Sequence, residues 1–165
     1  MRIEPLSKRT LDEAKNLVNH IFPLQDEWER SDFWLEASLN FGRLKIRLPV
    51  KDVRGFGYWV AIEGGNIVGI IGLYGQEDDI KEAFWVGWFC VDPAFRGRGI
   101  GRELLEFAIQ RSRAEGKKYL RLYTSDDPNE AVAQTLYEKL GFKVTKKNVR
   151  QRGGKWNVFY RELKL

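Results

Sequence analysis

The stretch Val91-Asp92-Pro93-Ala94-Phe95-Arg96-Gly97-Arg98-Gly99-Ile100-Gly101-Arg102 joins two segments of different periodicity. Upstream, Ala83 to Val91 is almost wholly apolar and reads as a buried strand. Downstream, Ile100, Leu104, Leu105, Ala108 and Ile109 fall on one helical stripe, with Arg102, Glu103, Glu106, Gln110 and Arg113 opposite. The glycine-rich segment is therefore a turn from a strand end into a helix start. Gly97, Gly99 and Gly101 lack a Cβ, so positive φ is allowed there and a ligand can approach the backbone closely. The first helical N–H groups have no intrahelical partner, and the positive end of the helix dipole adds to their attraction for an anion. Arg96, Arg98 and Arg102 surround that point with positive charge. The pattern is a phosphate cradle.

Two common phosphate-binding patterns fail on spacing. Arg102 stands where the third glycine of G-x-G-x-x-G belongs, and no Gly-Lys-Ser/Thr follows for a P-loop. The segment instead resembles the signature of the GNAT family of acyl-CoA-dependent N-acetyltransferases, Arg/Gln-x-x-Gly-x-Gly/Ala after a strand. Arg96, Gly99 and Gly101 fit it, and Val91-Asp92-Pro93 and Phe95-Arg96 match the usual lead-in. A second segment resembles the family's C-terminal motif: Leu136-Tyr137-Glu138-Lys139-Leu140-Gly141-Phe142, with Ala133 at its expected offset. Its helix start is signalled by Asp127 as N-cap, Pro128 at the first helical position and Glu130 closing a capping box. Many members carry asparagine seven residues before the tyrosine. Here that position is Glu130, with Asn129 one step early.

The resemblance implies a mixed α/β fold: a mostly antiparallel sheet of about seven strands with a central parallel pair, flanked by helices. It also implies acetyl-CoA as acyl-donor cosubstrate, its pyrophosphate on the turn Arg96, Gly97, Arg98, Gly99, Ile100, Gly101 and Arg102. The main chain of Phe89, Cys90 and Val91 would face the pantetheine arm, with Asn129 as a further contact. Tyr137 maps onto the tyrosine that protonates the departing thiolate. The acceptor would be a primary amine on a small molecule, peptide or protein, attacking the thioester directly. No carboxylate lies within residues 83 to 91, so the general base falls to Glu82, Asp126 or a water chain. That gap keeps open an alternative, a CoA-binding regulatory or nucleic-acid-associated module of the same fold without turnover.

The remaining chain is consistent with one domain, residues 1 to 165. A hydrophobic fraction of 43% with 31% charged residues is that of a soluble globular protein. The start lacks the plan of a signal peptide and no apolar run reaches membrane-spanning length, so no membrane is implied. Cys90 is the only cysteine, which rules out an intrachain disulfide and makes a cytoplasmic site the simplest reading. With no histidine beside it in sequence, Cys90 reads as a small buried hydrophobe rather than a nucleophile. His20 is the only histidine, and no metal site is expected.

Ile3 to Leu6 reads as a first strand, followed by a helix capped by Thr10 and running to about Ile21, which Phe22-Pro23 ends. A second helical region spans about Gln25 to Leu39, breaking near Ser31. It sets Asp26, Glu27, Glu29, Asp32 and Glu36 among Trp28, Phe33 and Trp34. One reading is a solvated acidic face. The other, drawn from the resemblance, is an acceptor mouth for a cationic amine, with Asp26 and Glu27 as substrate contacts. Asn40 to Gly57 reads as a long connection with at most one edge strand, because Pro49 argues against a central one. Hairpins are signalled around Gly64-Gly65 and around Gly153-Gly154. The net charge of +5 concentrates after residue 141, where Lys143, Lys146, Lys147, Arg150, Arg152, Lys155, Arg161 and Lys164 face Glu162 alone. Trp156, Phe159 and Tyr160 beside these cations would suit nucleic acid. Solubility and edge protection explain the same pattern and are preferred. A homodimer stays open.

Overall fold

The computed structural model describes residues 1–25, 30–40, 53–149 and 157–165; Arg54, Phe56, Asn129, Asn148 and Val149 enter as backbone only. Seven strands form one sheet: β1 Arg2–Pro5, β2 Val53–Glu63, β3 Asn66–Gln76, β4 Ala83–Val91, β5 Tyr119–Ser125, β6 Lys143–Val149 and β7 Asn157–Lys164, in the order β1-β2-β3-β4-β5-β7-β6. Every neighbouring pair is antiparallel except β4 and β5. Four α-helices flank it: α1 Leu11–Ile21, α2 Ser31–Asn40, α3 Ile100–Ala114 and α4 Ala131–Lys139. This is the mixed sheet with a central parallel pair that the sequence led us to expect.

Local chemistry explains most boundaries. Gly64 and Gly65 take φ of +59° and +90°, the positive pair that a two-residue type I′ hairpin requires, and they join β2 to β3. On α3 the predicted stripe of Ile100, Leu104, Leu105, Ala108 and Ile109 is buried against β3 and β4. Each fully buried side chain of this kind contributes about 1.5–3 kcal/mol relative to exposure. Glu103 in the first turn and Arg111 and Arg113 in the last complement the helix dipole. At the end of α4, Gly141 with φ of +90° lets the N–H of Phe142 reach the carbonyl of Tyr137 and its own N–H reach that of Glu138.

The two faces of the sheet carry separate cores. Alternation, reset by a bulge between Val86 and Phe89, sends Leu120, Leu122, Val86 and Phe89 to the face covered by α3 and α4. It sends Tyr58, Val60, Ile70 and Cys90 to the face covered by α1 and α2. Those two helices contact β2, β3 and β4, which leaves the same face of β5 and β7 without a helix among the described residues.

Some expectations are corrected. Strand β4 is not uniformly buried: Ala83, Val86 and Cys90 are, but Trp88, Phe89 and Val91 are half-buried because β4 borders a cleft. Thr10 stands at the N-cap of α1, yet its hydroxyl bonds back to Ser7 (accepting its N–H at 2.9 Å) instead of capping the helix. Residues 128–130 form a 3-10 turn before α4, and Glu130 closes no capping box. Of the expected helical region from Gln25 to Leu39, the described helix begins at Ser31, whose N–H donates to Gln25 Oε1 at 2.7 Å; residues 26–29 lie outside the description. Asp26, Glu27, most of the connection before β2, and the tip around Gly153 lie outside the described residues.

Candidate active site

Strands β4 and β5 pair over three positions only, Ala83–Tyr119, Phe84–Leu120 and Trp85–Arg121. Beyond them the strands part, and among the described residues the β5-facing edge of β4 from Val86 to Val91 has no strand partner. A bulge helps the parting: Ile71 faces Phe89 while Leu73 faces Val86, so β4 carries one extra residue opposite Gly72. Tyr58 secures this point. Its ring covers Gly72, where a Cβ would sit 2.3 Å from the ring, and its hydroxyl lies over Gly87. Burial pushes the Tyr58 phenol well above its ordinary range, offset in part by a backbone hydrogen bond from Trp88.

The parting opens a cleft of about 1320 Å³, more than the ~300–1,000 Å³ that one drug-sized ligand fills. It has room for two reactants. At one end lies the glycine turn. Gly97 and Gly99 take φ of +78° and +86°, and a Cβ on either would meet nothing within 4 Å, so backbone conformation and an open approach both account for glycine there. Gly101 is different: its φ is ordinary, and a Cβ would stand 3.3 Å from Leu136 and 3.5 Å from Phe89. Its role is to let α3 pack closely on β4 and α4. Asp92 caps the short turn before this segment, accepting from the N–H of Ala94 at 2.8 Å. Arg96 donates through Nε to the carbonyl of Val91 at 3.1 Å and lines the cleft. Arg102 also lines it while pairing with Glu106 at 2.8 Å. Arg98 is not among the lining residues; its guanidinium lies 4.9 Å from the centre of the Phe95 ring.

Phe89, Cys90 and Val91 line the middle of the cleft, and Tyr137 stands across from them on α4. The Tyr137 ring is buried between Phe89 (6.2 Å between centroids) and Phe142 (5.8 Å). Its phenol is held far above its usual range, chiefly by burial and further by the Glu130 carboxylate, with Arg161 opposing. Tyr137 is therefore a neutral proton donor throughout the physiological range. The Cys90 thiol is pushed up to about 12, again mainly by burial. A thiol so dry, in a chain whose one histidine is His20 in α1, is no nucleophile.

Glu130 takes a place that its spacing flagged but did not explain. Its carboxylate accepts from the N–H and hydroxyl of Ser125, both at 2.8 Å, and from the hydroxyl of Thr124. Gln134 extends the network, donating to the Ser125 carbonyl at 2.6 Å and to Thr124 Oγ1 at 3.2 Å. Its Oε1 accepts two bonds from the buried Arg161 of β7, at 3.1 and 2.7 Å. The chain of bonds ties β7, α4 and β5 together and so fixes where α4 presents Tyr137. Neither carboxylate considered as general base belongs to the cleft. Glu82 accepts from Arg121 at 3.0 Å, and the fully exposed Asp126 accepts from the Asn157 side chain and backbone, which holds its pKa below the ordinary value. Asp127 and Glu130 are the carboxylates that line the cleft among the described residues. The side chain of Asn129 is outside the description.

Of the acidic cluster expected at the acceptor mouth, Asp26, Glu27 and Glu29 lie outside the described residues, and only Asp32 and Glu36 can be placed. Glu36 is paired with Lys15, and Asp32 accepts from Asn19 at 2.9 Å and lies 3.4 Å from Arg30; neither lines the cleft. Aromatic rings line that end instead, among them Trp34, Tyr58, Tyr74, Trp88, Tyr123 and Tyr160. They come from α2 and five different strands, and no sequence motif joins them. Their one local signal is alternation, since Tyr74, Trp88 and Tyr123 each sit on the α1/α2 face of a strand. The same alternation separates two of the three rings considered for nucleic acid: Phe159 and Tyr160 are adjacent on β7 and point to opposite faces, while Trp156 lies outside the described residues. Among the described residues no group of three His, Cys, Asp or Glu side chains could hold a metal, and no helix is long and apolar enough to cross a membrane.

The sequence profile described as an acetyltransferase (GNAT) domain matches residues 54–144, which include both motifs. The chain belongs to the GNAT family. This GNAT protein is 36% identical over 87 residues to a mycothiol acetyltransferase from Corynebacterium glutamicum, covering 53% of this chain and 28% of that one. It is 32% identical over 114 residues to the human N-acetylaspartate synthetase, covering 67% and 35%. The chain thus spans about a third of the length of these relatives. Among solved structures, an aminoglycoside 6'-N-acetyltransferase complexed with coenzyme A superposes with a TM-score of 0.76 at 17% identity, over 99% of this chain and 97% of that one. At that identity the likeness concerns the fold.

Proposed function

We propose that this GNAT protein is an acetyl-CoA-dependent N-acetyltransferase that acetylates a primary amine by direct attack. The observation that carries the reading is the parting of β4 and β5 into a cleft that runs from the glycine turn to a buried, neutral tyrosine. The β5-facing edge of β4 at Phe89, Cys90 and Val91, which meets no strand among the described residues, suits the amides of a pantetheine arm. The N–H groups at the start of α3, with Arg96 and Arg102, suit its pyrophosphate. Acetyl-CoA, as cosubstrate, supplies an activated thioester.

The residues present then account for transfer. The acceptor nitrogen bonds to the carbonyl carbon as the carbon–sulfur bond breaks, and a main-chain N–H of β4 beside the cleft can stabilise the oxyanion. Tyr137 donates its proton to the departing sulfur and is reprotonated from solvent. The amine's own proton leaves through water, since no described carboxylate other than Asp127 and Glu130 reaches the cleft. The relatives support the reaction class: a mycothiol acetyltransferase, an aspartate acetylating enzyme and an aminoglycoside acetyltransferase share the fold or the motifs. The test is release of CoA thiol from acetyl-CoA with a panel of amines, beside calorimetry of CoA alone. Binding without release for any amine would leave a CoA-binding module; no heat at millimolar CoA would overturn the reading altogether.

A further inference from the structure

The acceptor end of the cleft is built on the sheet face that α1 and α2 leave uncovered. Four rings cross it strand by strand. Tyr74 of β3 stacks on Trp85 of β4 at 6.5 Å and 27°, and Trp85 meets Tyr160 of β7 edge-on at 6.4 Å and 87°. Tyr160 in turn lies 6.2 Å from Tyr123 of β5. Trp85 is fixed from below, donating through Nε1 to Asp79 at 2.9 Å, and Asp79 is itself held by Arg121 at 2.6 Å. Tyr74, Tyr160 and Tyr123 line the cleft while Trp85 does not, so Trp85 is the buttress and the tyrosines are the surface. Tyr123 is 41% exposed, a large ring left open to the cleft.

From this arrangement, and resting on the acetyltransferase reading above, we infer that the acceptor is a mono-amine carried on a planar aromatic body. A flat row of rings offers stacked and edge-to-face contacts that a flat ring uses and a branched alkyl chain does not. Aromatic faces also attract an arriving ammonium. Once enclosed among rings, the amine is desolvated, which favours the neutral form that attacks. Of the described carboxylates around the cleft, Glu36 and Asp32 are occupied on the helices, and Glu130 is engaged by the N–H and hydroxyl of Ser125, two residues along β5 from Tyr123. Gln25 and Gln76 line the cleft with the rings, and the Lys146 ammonium stands 5.6 Å from the centre of the Tyr160 ring.

The experiment compares 2-phenylethylamine and tryptamine with 3-methylbutylamine, spermidine and kanamycin, scored by kcat/KM for thiol release at low and at 0.15 M ionic strength (about one Debye length of 8 Å). The aromatic amines are expected to exceed 3-methylbutylamine by about 3- to 10-fold, with little dependence on salt. Tyr123→Ala should raise KM for 2-phenylethylamine by a similar factor of about 3–10, more than it raises that for acetyl-CoA, and Tyr123→Phe should restore it. Spermidine or kanamycin ahead of the aromatic amines, or an unchanged KM in Tyr123→Ala, would overturn the inference. If no amine releases thiol, the transferase reading fails. Calorimetry of 2-phenylethylamine with the CoA-loaded protein then decides the inference alone, and no binding there overturns it.

Discussion

The two ends of the cleft are made in opposite ways. The proposed cofactor end is one continuous stretch, residues 89 to 102, and what it presents is mainly backbone: a strand edge, positive-φ glycines and the first N–H groups of a helix. The proposed acceptor end draws one or two side chains from each of α2, β2, β3, β4, β5 and β7, and what it presents is rings. A backbone cradle recognises what every acyl-CoA shares and tolerates change in the side chains around it. A ring ledge recognises one class of acceptor and can change with a few substitutions.

Tyr137 stands between the two ends, and its removal should have the largest effect. Tyr137→Phe keeps the ring against Phe89 and Phe142 and deletes only the proton, so turnover should fall by about 10²–10⁴ while calorimetric CoA affinity stays near that of the parent. Unchanged turnover where chemistry limits would make Tyr137 a packing residue and remove the link between the halves.

At the cofactor end, Gly99→Val forces a β-branched residue into φ of +86°. Left-handed backbone costs an L-residue about 1–2 kcal/mol, so CoA affinity should weaken by about 5- to 30-fold. Gly101 has no such φ, and Gly101→Ala should act on folding stability through Leu136 before it acts on CoA. If the two glycine variants weaken CoA equally, the distinction between conformation and packing is wrong.

The seam between the ends is dry, and alkaline unfolding reports on it. Above about pH 9 the unfolded chain releases the Cys90 proton, whereas the folded chain keeps it until about pH 12. The native state then binds more protons, so stability falls as pH rises, by up to about 1.4 kcal/mol per pH unit from this group. Tyr58 and Tyr137, raised by burial, add the same sign above pH 10. Cys90→Ala should flatten the slope between pH 9 and 10 in urea titrations. An equal slope in variant and parent would mean that water reaches the thiol.

The smallest effect is expected at Arg98. Its guanidinium is stacked over Phe95 and turned from the cleft, so Arg98→Ala should change CoA affinity by less than about two-fold, an exposed charge acting through screening water. Arg96→Ala should cost more and lower the salt dependence of CoA binding. Comparable losses would place both arginines on the phosphate.

Sequence alone determined the strand, turn and helix from Ala83 to Ala114, the helix that bears Tyr137, and the hairpin at Gly64-Gly65. Each is written in local rules: a 3.6-residue period, a glycine where φ is positive, a proline at a helix start. Even there some partners escaped. Glu130 has the spacing of a capping-box residue, yet its carboxylate turns to Thr124 and Ser125, because β5 ends beside it in space and offers three donors. The tertiary structure alone decided the acceptor end. Asp32 and Glu36 read as an acidic mouth until Lys15, Asn19 and Arg30 were found beside them. Tyr74, Trp85, Tyr123 and Tyr160 lie up to 86 residues apart in the chain, and only the strand order β3-β4-β5-β7, with its alternation, sets them side by side. A backbone site is local because hydrogen bonding and φ are local; a side-chain site belongs to the sheet, because register and pleat choose which side chains meet.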